Sequence, residues 1–396
     1  MTASRRTFLA GIGAAAAAGP ALAQSRPATG FTPGLIYLNT GSLGPTPQPV
    51  LDRVLEVWRT LEENPVVNGY NEGAGLAAAE AARNEVAVLI GCAAGNLLIT
   101  SGTTRAMNIV AGSVRLGRGD AVLTTDQEHH GGIAGWTWRA RRDGVRLDKV
   151  PVPPEETDGA AIVARIAAAI RPETRVISVS HVLFSTGLRM PVAEISALAR
   201  SRGLLCVVDG AQAVGAIPVD VGAIGCHAYA GSGHKWLMGP KGTGLLYVSP
   251  DAAGRIEPME WEMGHDYVSE STGFGPEPLV AGLGLAAATV RATGIADVER
   301  RILALRNHAW RSFSALPNVR MASPPPGPLA SGLVAIHLPA ALEARPFSRR
   351  LRARHNVVAR AIPGEPFNGL RFATHVFNTV AEVDAAAAAL RAELAG

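Results

Sequence analysis

Between Leu97 and about Pro250 the chain alternates short apolar runs with longer stretches in which apolar residues recur every three to four positions. The runs 97–100, 121–124, 146–150, 176–180, 204–209 and 244–248 have the length and content of strands, and a further apolar strand leads into Gly231-Ser232-Gly233. Helical periodicity fills the gaps at 104–114, 160–170 and 192–202. Strand–helix alternation of this kind predicts a largely parallel sheet covered on both faces. Before it, helix patterns run over 50–62 and 77–89. After it come a Gly/Pro-rich passage at 270–278 and helices over 279–293 and 297–314. The remainder, 332–394, reads as a small α/β unit ending in a helix from Ala381.

The first residues follow a different pattern. Ser4-Arg5-Arg6-Thr7-Phe8-Leu9 precedes an apolar run from Ala10 to Ala18, and Ala21-Leu22-Ala23 has the small-x-small form of a cleavage site. This is the form of a twin-arginine export signal over 1–23. It implies passage through the twin-arginine machinery in a folded state, to the periplasm or beyond. The run is too short to span a bilayer, so no stable membrane insertion is expected. The chain has 396 residues, more than one core usually holds. The expected division is 24–45 as a segment joining the small domain, 46–260 as a large domain, and 261–396 as linking helices with a small C-terminal domain. Net charge is +4 without any basic block, so no nucleic-acid footprint is present. Cys92, Cys206 and Cys226 show no metal-type spacing.

The chain holds three lysines, Lys149, Lys235 and Lys241, and otherwise uses arginine. Lys235 lies in Gly231-Ser232-Gly233-His234-Lys235-Trp236, and Asp209 ends an earlier strand in Val207-Val208-Asp209-Gly210-Ala211-Gln212. Only an amine condenses with an aldehyde, so a lysine set at a small-residue turn points to pyridoxal 5′-phosphate (PLP). The rest of the chain offers a residue for each task that PLP poses. Ser101-Gly102-Thr103-Thr104, between a strand and a helix, can cradle a phosphate or serve as a simple cap. Asp209 is either a turn aspartate or the buried carboxylate that keeps a pyridine nitrogen protonated. His129 or His130 can stack on a flat ring, and no metal site is expected there. Ser232 and His234 flank Lys235, and Gln212 can reach a phenolic oxygen. Lys149 reads as a solvated strand residue.

Together these motifs, with Glu128-His129-His130 and Ser180-His181-Val182, resemble the class V aminotransferase family of fold-type I PLP enzymes. That family includes cysteine desulfurases and isopenicillin N epimerase-like proteins. The resemblance covers nearly the whole chain beyond the signal. It implies an α/β fold with a mostly parallel seven-stranded sheet covered by helices, and a smaller α/β C-terminal domain. It implies Lys235 as the Schiff-base lysine, Asp209 on the pyridine nitrogen, His129 over the ring and Gln212 on the phenolic oxygen. Gly102, Thr103, Thr104, Ser232 and His234 would serve the phosphate. Arg371, in Leu370-Arg371-Phe372-Ala373, would clamp a substrate carboxylate, with Asn39 of Tyr37-Leu38-Asn39-Thr40-Gly41 beside the substrate. The family also implies a homodimer and an amino-acid-like substrate.

Three departures stand out. No cysteine lies between Pro339 and Leu370, where desulfurases carry a sulfur-accepting thiol. Leu183 and Phe184 replace a polar pair near the cofactor. A glycine–threonine pair that reaches the partner subunit's phosphate is not evident in Ser271-Thr272-Gly273. The reaction expected is at Cα of an amino acid, as aminotransferase or epimerase. A β-lyase and a non-catalytic PLP- or amine-binding protein are the alternatives.

Overall fold

The computed structural model describes residues 30–69, 74–252, 254–256, 277–364 and 367–395. The signal at 1–23, most of the 270–278 passage and Ser271-Thr272-Gly273 lie outside the described residues. The elements begin with strand β1 (Ile36–Tyr37) and helices α1 (Gln48–Glu63), α2 (Pro65–Gly69) and α3 (Ala74–Ile90). The layered part contains β2 (Leu97–Thr100), α4 (Thr103–Ser113), β3 (Ala121–Thr125), α5 (His130–Asp143), β4 (Arg146–Val150), α6 (Gly159–Ala169) and β5 (Thr174–Ser180). It continues with α7 (Val192–Ser201), β6 (Leu205–Asp209), α8 (Val221–Ile224), β7 (Ala228–Ser232) and β8 (Gly244–Val248).

These strands form one sheet in the order β2-β8-β7-β6-β5-β3-β4. All run the same way except β8, which is antiparallel to both neighbours. Alternate residues of each strand serve two cores, as the pleat requires. In β6, Leu205 and Val207 pack with Met107, Val110 and Trp136 of α4 and α5. Cys206 and Val208 face the other way, toward Ile162, Ile195 and Leu283. Both faces are covered, so β6 reads as a continuous apolar run instead of an alternating one. Helix α5 has no apolar periodicity to announce it. Its start, His130-Gly131-Gly132, is poor in helix formers, and burial of Trp136 holds it in place.

The chain then forms α9 (Glu277–Thr293), α10 (Ile295–Ser314), β9 (Arg320–Met321), β10 (Leu333–His337), α11 (Ala344–His355), β11 (Val357–Val358), β12 (Arg360–Ile362), β13 (Gly369–Ala373) and α12 (Val380–Ala395). A second, antiparallel sheet has the order β12-β13-β10-β9. Leu370 and Phe372 of β13 point into its own core with Phe313, Phe347 and Leu390. Arg371, between them, must point the other way, toward the larger sheet. Strand β1 pairs in parallel with β11, and Asn39 bridges to Ala373. Among the described residues no single helix is long and apolar enough to cross a membrane.

Candidate active site

The carboxyl ends of β2, β3, β6 and β7 open on one cavity of about 600 Å³, the place where parallel α/β sheets present ligands. Its walls include Gly102, Thr103, Thr104, His129, Asp209, Gln212, Ser232, His234, Lys235 and Arg371. Asn39 is tied to this group through Arg371. The eleven residues singled out in the sequence therefore meet at one place.

One end of the cavity is suited to an anion. Helix α4 starts at Gly102, whose φ of 149° favours glycine, and no side chain caps its first N–H groups. The Thr103 and Ser232 hydroxyls are 2.7 Å apart. Beside them His234 donates Nδ1–H to the Thr243 carbonyl, 2.9 Å, so its Nε2 is the unprotonated nitrogen when the ring is neutral. Burial lowers the His234 pKa, which keeps it neutral. Uncapped helix N–H groups with two hydroxyls alongside form a phosphate-type site.

Asp209 lies at the middle of the cavity, 5% exposed. Burial raises its pKa, opposed by the Ala211 N–H at 2.9 Å and by the nearby Lys235 charge. Its other oxygen abuts Gly132, where an added Cβ would stand 2.5 Å away. Close approach of α5 to this carboxylate therefore needs glycine. Gly210 is constrained as well, since a Cβ there would enter the Tyr229 ring at 2.2 Å. The Tyr229 hydroxyl meets His181 Nδ1 at 2.8 Å, and the His181 N–H donates to the Asp209 carbonyl.

His129 caps α5, its Nδ1 accepting from the Gly131 N–H at 3.0 Å, so the ring proton sits on Nε2. Burial, then the charges of His130, Lys235, Arg360 and Arg371, press its pKa down to about 3. A neutral, flat ring results, with Phe184 edge-on at 4.8 Å. Behind it Glu128 accepts from Thr125 Oγ and from the Ser180 N–H and hydroxyl. Burial pushes the Glu128 pKa up to about 7 despite those bonds.

Lys235 follows β7 in a turn fixed from several directions. Met238 N–H donates to its carbonyl, and Met238 takes a positive φ of 56° to close the turn. His375 contacts the Trp236 carbonyl at 2.9 Å, while Trp236 donates to Gln212 Oε1 at 2.8 Å. Gly44 N–H donates to the His234 carbonyl, and a Cβ on Gly44 would meet the Lys235 carbonyl oxygen at 2.0 Å. The ammonium group is desolvated, which lowers its pKa to about 8. Asp209 opposes this shift, and Arg371 and Arg360 reinforce it. The other lysines differ. Lys241 ties down the N-terminal segment through Gly44 O and Thr46 Oγ, and Lys149 is exposed on the edge strand β4.

Arg371 stands at the opposite end, 1% exposed. It donates to the Phe184 carbonyl at 2.7 Å and to Ser42 Oγ at 3.0 Å, with Asn39 Oδ1 at 3.4 Å. Burial lowers its pKa to about 9, with Arg360 adding repulsion. Gln212 donates to the Gly41 carbonyl at 2.8 Å, which leaves one amide N–H for a ligand.

The cavity also holds residues that sequence reasoning did not single out. Arg360 stands directly opposite Arg371 across the β12–β13 ladder. Ser42 links both guanidinium groups. Arg105 and Asn108 lie on the wall as well, beside Ser101 and His130, which the sequence had already offered for the phosphate and the ring. A usable signal for Arg360 existed in Val357-Val358-Ala359-Arg360-Ala361-Ile362, where one charge interrupts a strand-like run.

The donor set fits PLP. Uncapped N–H groups and paired hydroxyls suit the phosphate, a buried carboxylate suits the pyridine N–H, and a desolvated amine suits the aldehyde. Comparison with known proteins agrees. A family model described as aminotransferase class-V matches residues 36–385. The chain is 33% identical to an isopenicillin N epimerase of Streptomyces clavuligerus over 91% of this chain and 95% of that protein. It is 32% identical to a cysteine desulfurase of Yersinia pestis over 73% of this chain and 75% of that one. Among solved structures, a cystine C-S lyase in complex with cysteine persulfide is 27% identical with a TM-score of 0.81. That match covers 91% of this chain and 98% of the other.

Proposed function

The chain belongs to the class V aminotransferases, a PLP-dependent family, and on that premise we propose that it acts at the α-carbon of an amino acid. The observation that carries this reading is the placement of Lys235, desolvated to a pKa of about 8, in one cavity with buried Asp209 and buried Arg371. When bound, PLP supplies an electron-poor ring over which charge released at the α-carbon can spread. Asp209 holds the pyridine proton, because a buried carboxylate of this kind is stabilised by a cationic partner. The start of α4 with Thr103 and Ser232 would hold the phosphate, and His234 would join them once a bound dianion favours protonation of its Nε2. Gln212 would offer its remaining N–H to the phenolic oxygen, and the neutral His129 would serve as the flat partner of the ring. Arg371 orients the substrate carboxylate through paired hydrogen bonds. Lys235 is then the general base at the α-carbon, its pKa near the working pH as such a role requires.

Return of that proton to the opposite face of the α-carbon is epimerisation. Exchange of the amino group with a 2-oxo acid is transamination. The epimerase relatives, matched over more than nine-tenths of this chain, support reaction at the α-carbon. A β-elimination is the second reading, favoured by the likeness to a cystine C-S lyase. Desulfuration through the enzyme's own loop thiol is disfavoured. Residues 339–370 hold no cysteine, and Cys206 and Cys226 are buried in the large domain.

Single amino acids incubated with the enzyme in D2O separate these outcomes. Loss of the α-proton signal with inversion marks an epimerase. A new amino acid formed from an added 2-oxo acid marks an aminotransferase. Ammonia with a 2-oxo acid and no acceptor marks a lyase. Borohydride reduction is the parallel test. A Lys235 peptide that stays unmodified in the presence of excess PLP, with no α-exchange on any amino acid, would sink the proposal.

Export by the twin-arginine route and a homodimeric state belong to the same proposal. The signal form at 1–23 supports export, and fractionation of cells expressing the Arg5→Lys, Arg6→Lys chain tests it. The dimer is supported by an apolar face on α1. Leu51, Leu55 and Trp58 are 41%, 49% and 52% exposed and lie on one side of the helix. Light scattering of Trp58→Glu tests it; an unchanged dimer mass places the interface elsewhere.

A further inference from the structure

At the rim of the cavity two guanidinium groups are held side by side, with no acid between them among the described residues. Arg360 and Arg371 are register partners on antiparallel strands, so both side chains leave the same face of the sheet. Both reach one atom, Ser42 Oγ, at 3.3 Å and 3.0 Å. Like charges opposed in this way destabilise a sheet. None of the ion pairs among the described residues involves either arginine. Each also keeps a buried Nε–H without any partner. Among the described residues Asp209 is the one carboxylate on the cavity wall; it is engaged by Ala211 N–H and lies against Gly132. Buried donors of this kind are matched by a ligand, and a guanidinium matches a carboxylate.

One guanidinium is sufficient for one carboxylate, since its N–H fork binds both oxygens. A substrate with a single carboxylate would leave the second cation desolvated and repelled, with nothing gained. We propose that the substrate is an amino acid whose side chain also ends in a carboxylate, which Arg360 takes while Arg371 takes the α-carboxylate. Phe184, whose carbonyl holds Arg371 and whose ring abuts His129, forms the apolar wall along the aliphatic part between the two anionic ends. Arg360 is thereby a specificity-determining residue. The assignment rests on the reading that this cavity takes an amino acid.

The test uses PLP-loaded enzyme and unreactive probes: succinate, glutarate and adipate against butyrate, by calorimetric titration. At least one diacid should bind about tenfold or more tightly than butyrate, as gain of a charge-assisted pair implies. Arg360→Gln should abolish that preference and leave butyrate binding within about twofold, whereas Arg371→Gln should weaken both classes. Arg360→Lys, which keeps the charge, should restore part of the preference. Two results overturn the proposal. In one, all three diacids bind no more tightly than butyrate. In the other, Arg360→Gln weakens butyrate and diacids alike, which would put both arginines on one carboxylate. Circular dichroism and the PLP absorbance of Arg360→Gln separate a folding defect from a binding one. None of the probes carries an amine, so a diacid preference survives failure of the catalytic reading. Borohydride labelling of Lys235, in turn, survives failure of this one.

Discussion

The two ends of the cavity are built in different ways. The end that holds Lys235, Asp209, Thr103 and Ser232 is assembled from strand ends of one sheet, each side chain set by a local motif. The end that holds Arg371 and Arg360 draws on segments from far apart in the chain. These are Asn39 to Ser42, the Phe184 carbonyl, and two strands of the second sheet. The first end carries its own hydrogen bonds before any ligand arrives, through Gln212, Trp236, Thr243 and Tyr229. The second keeps buried donors unmet. The contrast separates chemistry from recognition. The motif-built end suits a cofactor common to many enzymes, and the composite end can vary with the substrate. The segment from Gly41 to Gly44 joins them, touching Gln212, Arg371 and the His234–Lys235 backbone.

The largest expected effect separates the two ends outright. Lys235→Ala should cut turnover by about 10²–10⁴-fold, the usual worth of a positioned acid–base group, and abolish borohydride labelling. Carboxylate probes should still bind at the arginine end. Loss of both together would mean that the ends are not independent.

Gly44→Ala should couple them. Its Cβ would fall 2.0 Å from the Lys235 carbonyl oxygen, so backbone must move. A destabilisation of about 1–3 kcal/mol in denaturant unfolding is expected, with weaker PLP retention and weaker carboxylate binding together. Normal behaviour in all three would show that the strap between the ends is compliant.

Glu128→Gln probes the support beneath the cofactor end through pH. The folded-state pKa is raised from 4.5 to about 7, so the folded protein holds this proton more tightly than the unfolded chain. Stability from this group is full below about pH 4.5 and is lost as pH rises through about 7. The glutamine keeps the acceptor for Thr125 and Ser180 and carries no charge. The variant should match the parent near pH 5 and exceed it by about 1–3 kcal/mol near pH 8. Equal stability at both pH values would break the assignment.

The smallest effect is expected at Lys149→Gln, on the exposed edge strand and away from both ends. Stability should change by less than about 0.5 kcal/mol and turnover not at all.

The amino-acid sequence by itself determined the strand–helix alternation and pointed to Lys235 and to the residues that the fold gathers around it. Asp209, Ser232 and Thr103 stand at strand ends or at the strand-to-helix junction that follows, where short continuous apolar runs and small-residue turns announce them. Local chemistry and local geometry there coincide. The sequence also marked Arg371, through the resemblance of Leu370-Arg371-Phe372-Ala373 to the family's carboxylate-binding segment. It gave no sign of α5, because burial of Trp136 stabilises a helix whose start is poor in helix formers. It also gave no sign that β8 runs antiparallel, since strand direction is set by pairing partners and not by the strand's own residues. Only the tertiary structure placed Arg360 against Arg371, because cross-strand register joins positions that no local pattern links. Only it showed why Gly44, Gly132 and Gly210 must lack a side chain, since the atoms that exclude a Cβ come from remote parts of the chain.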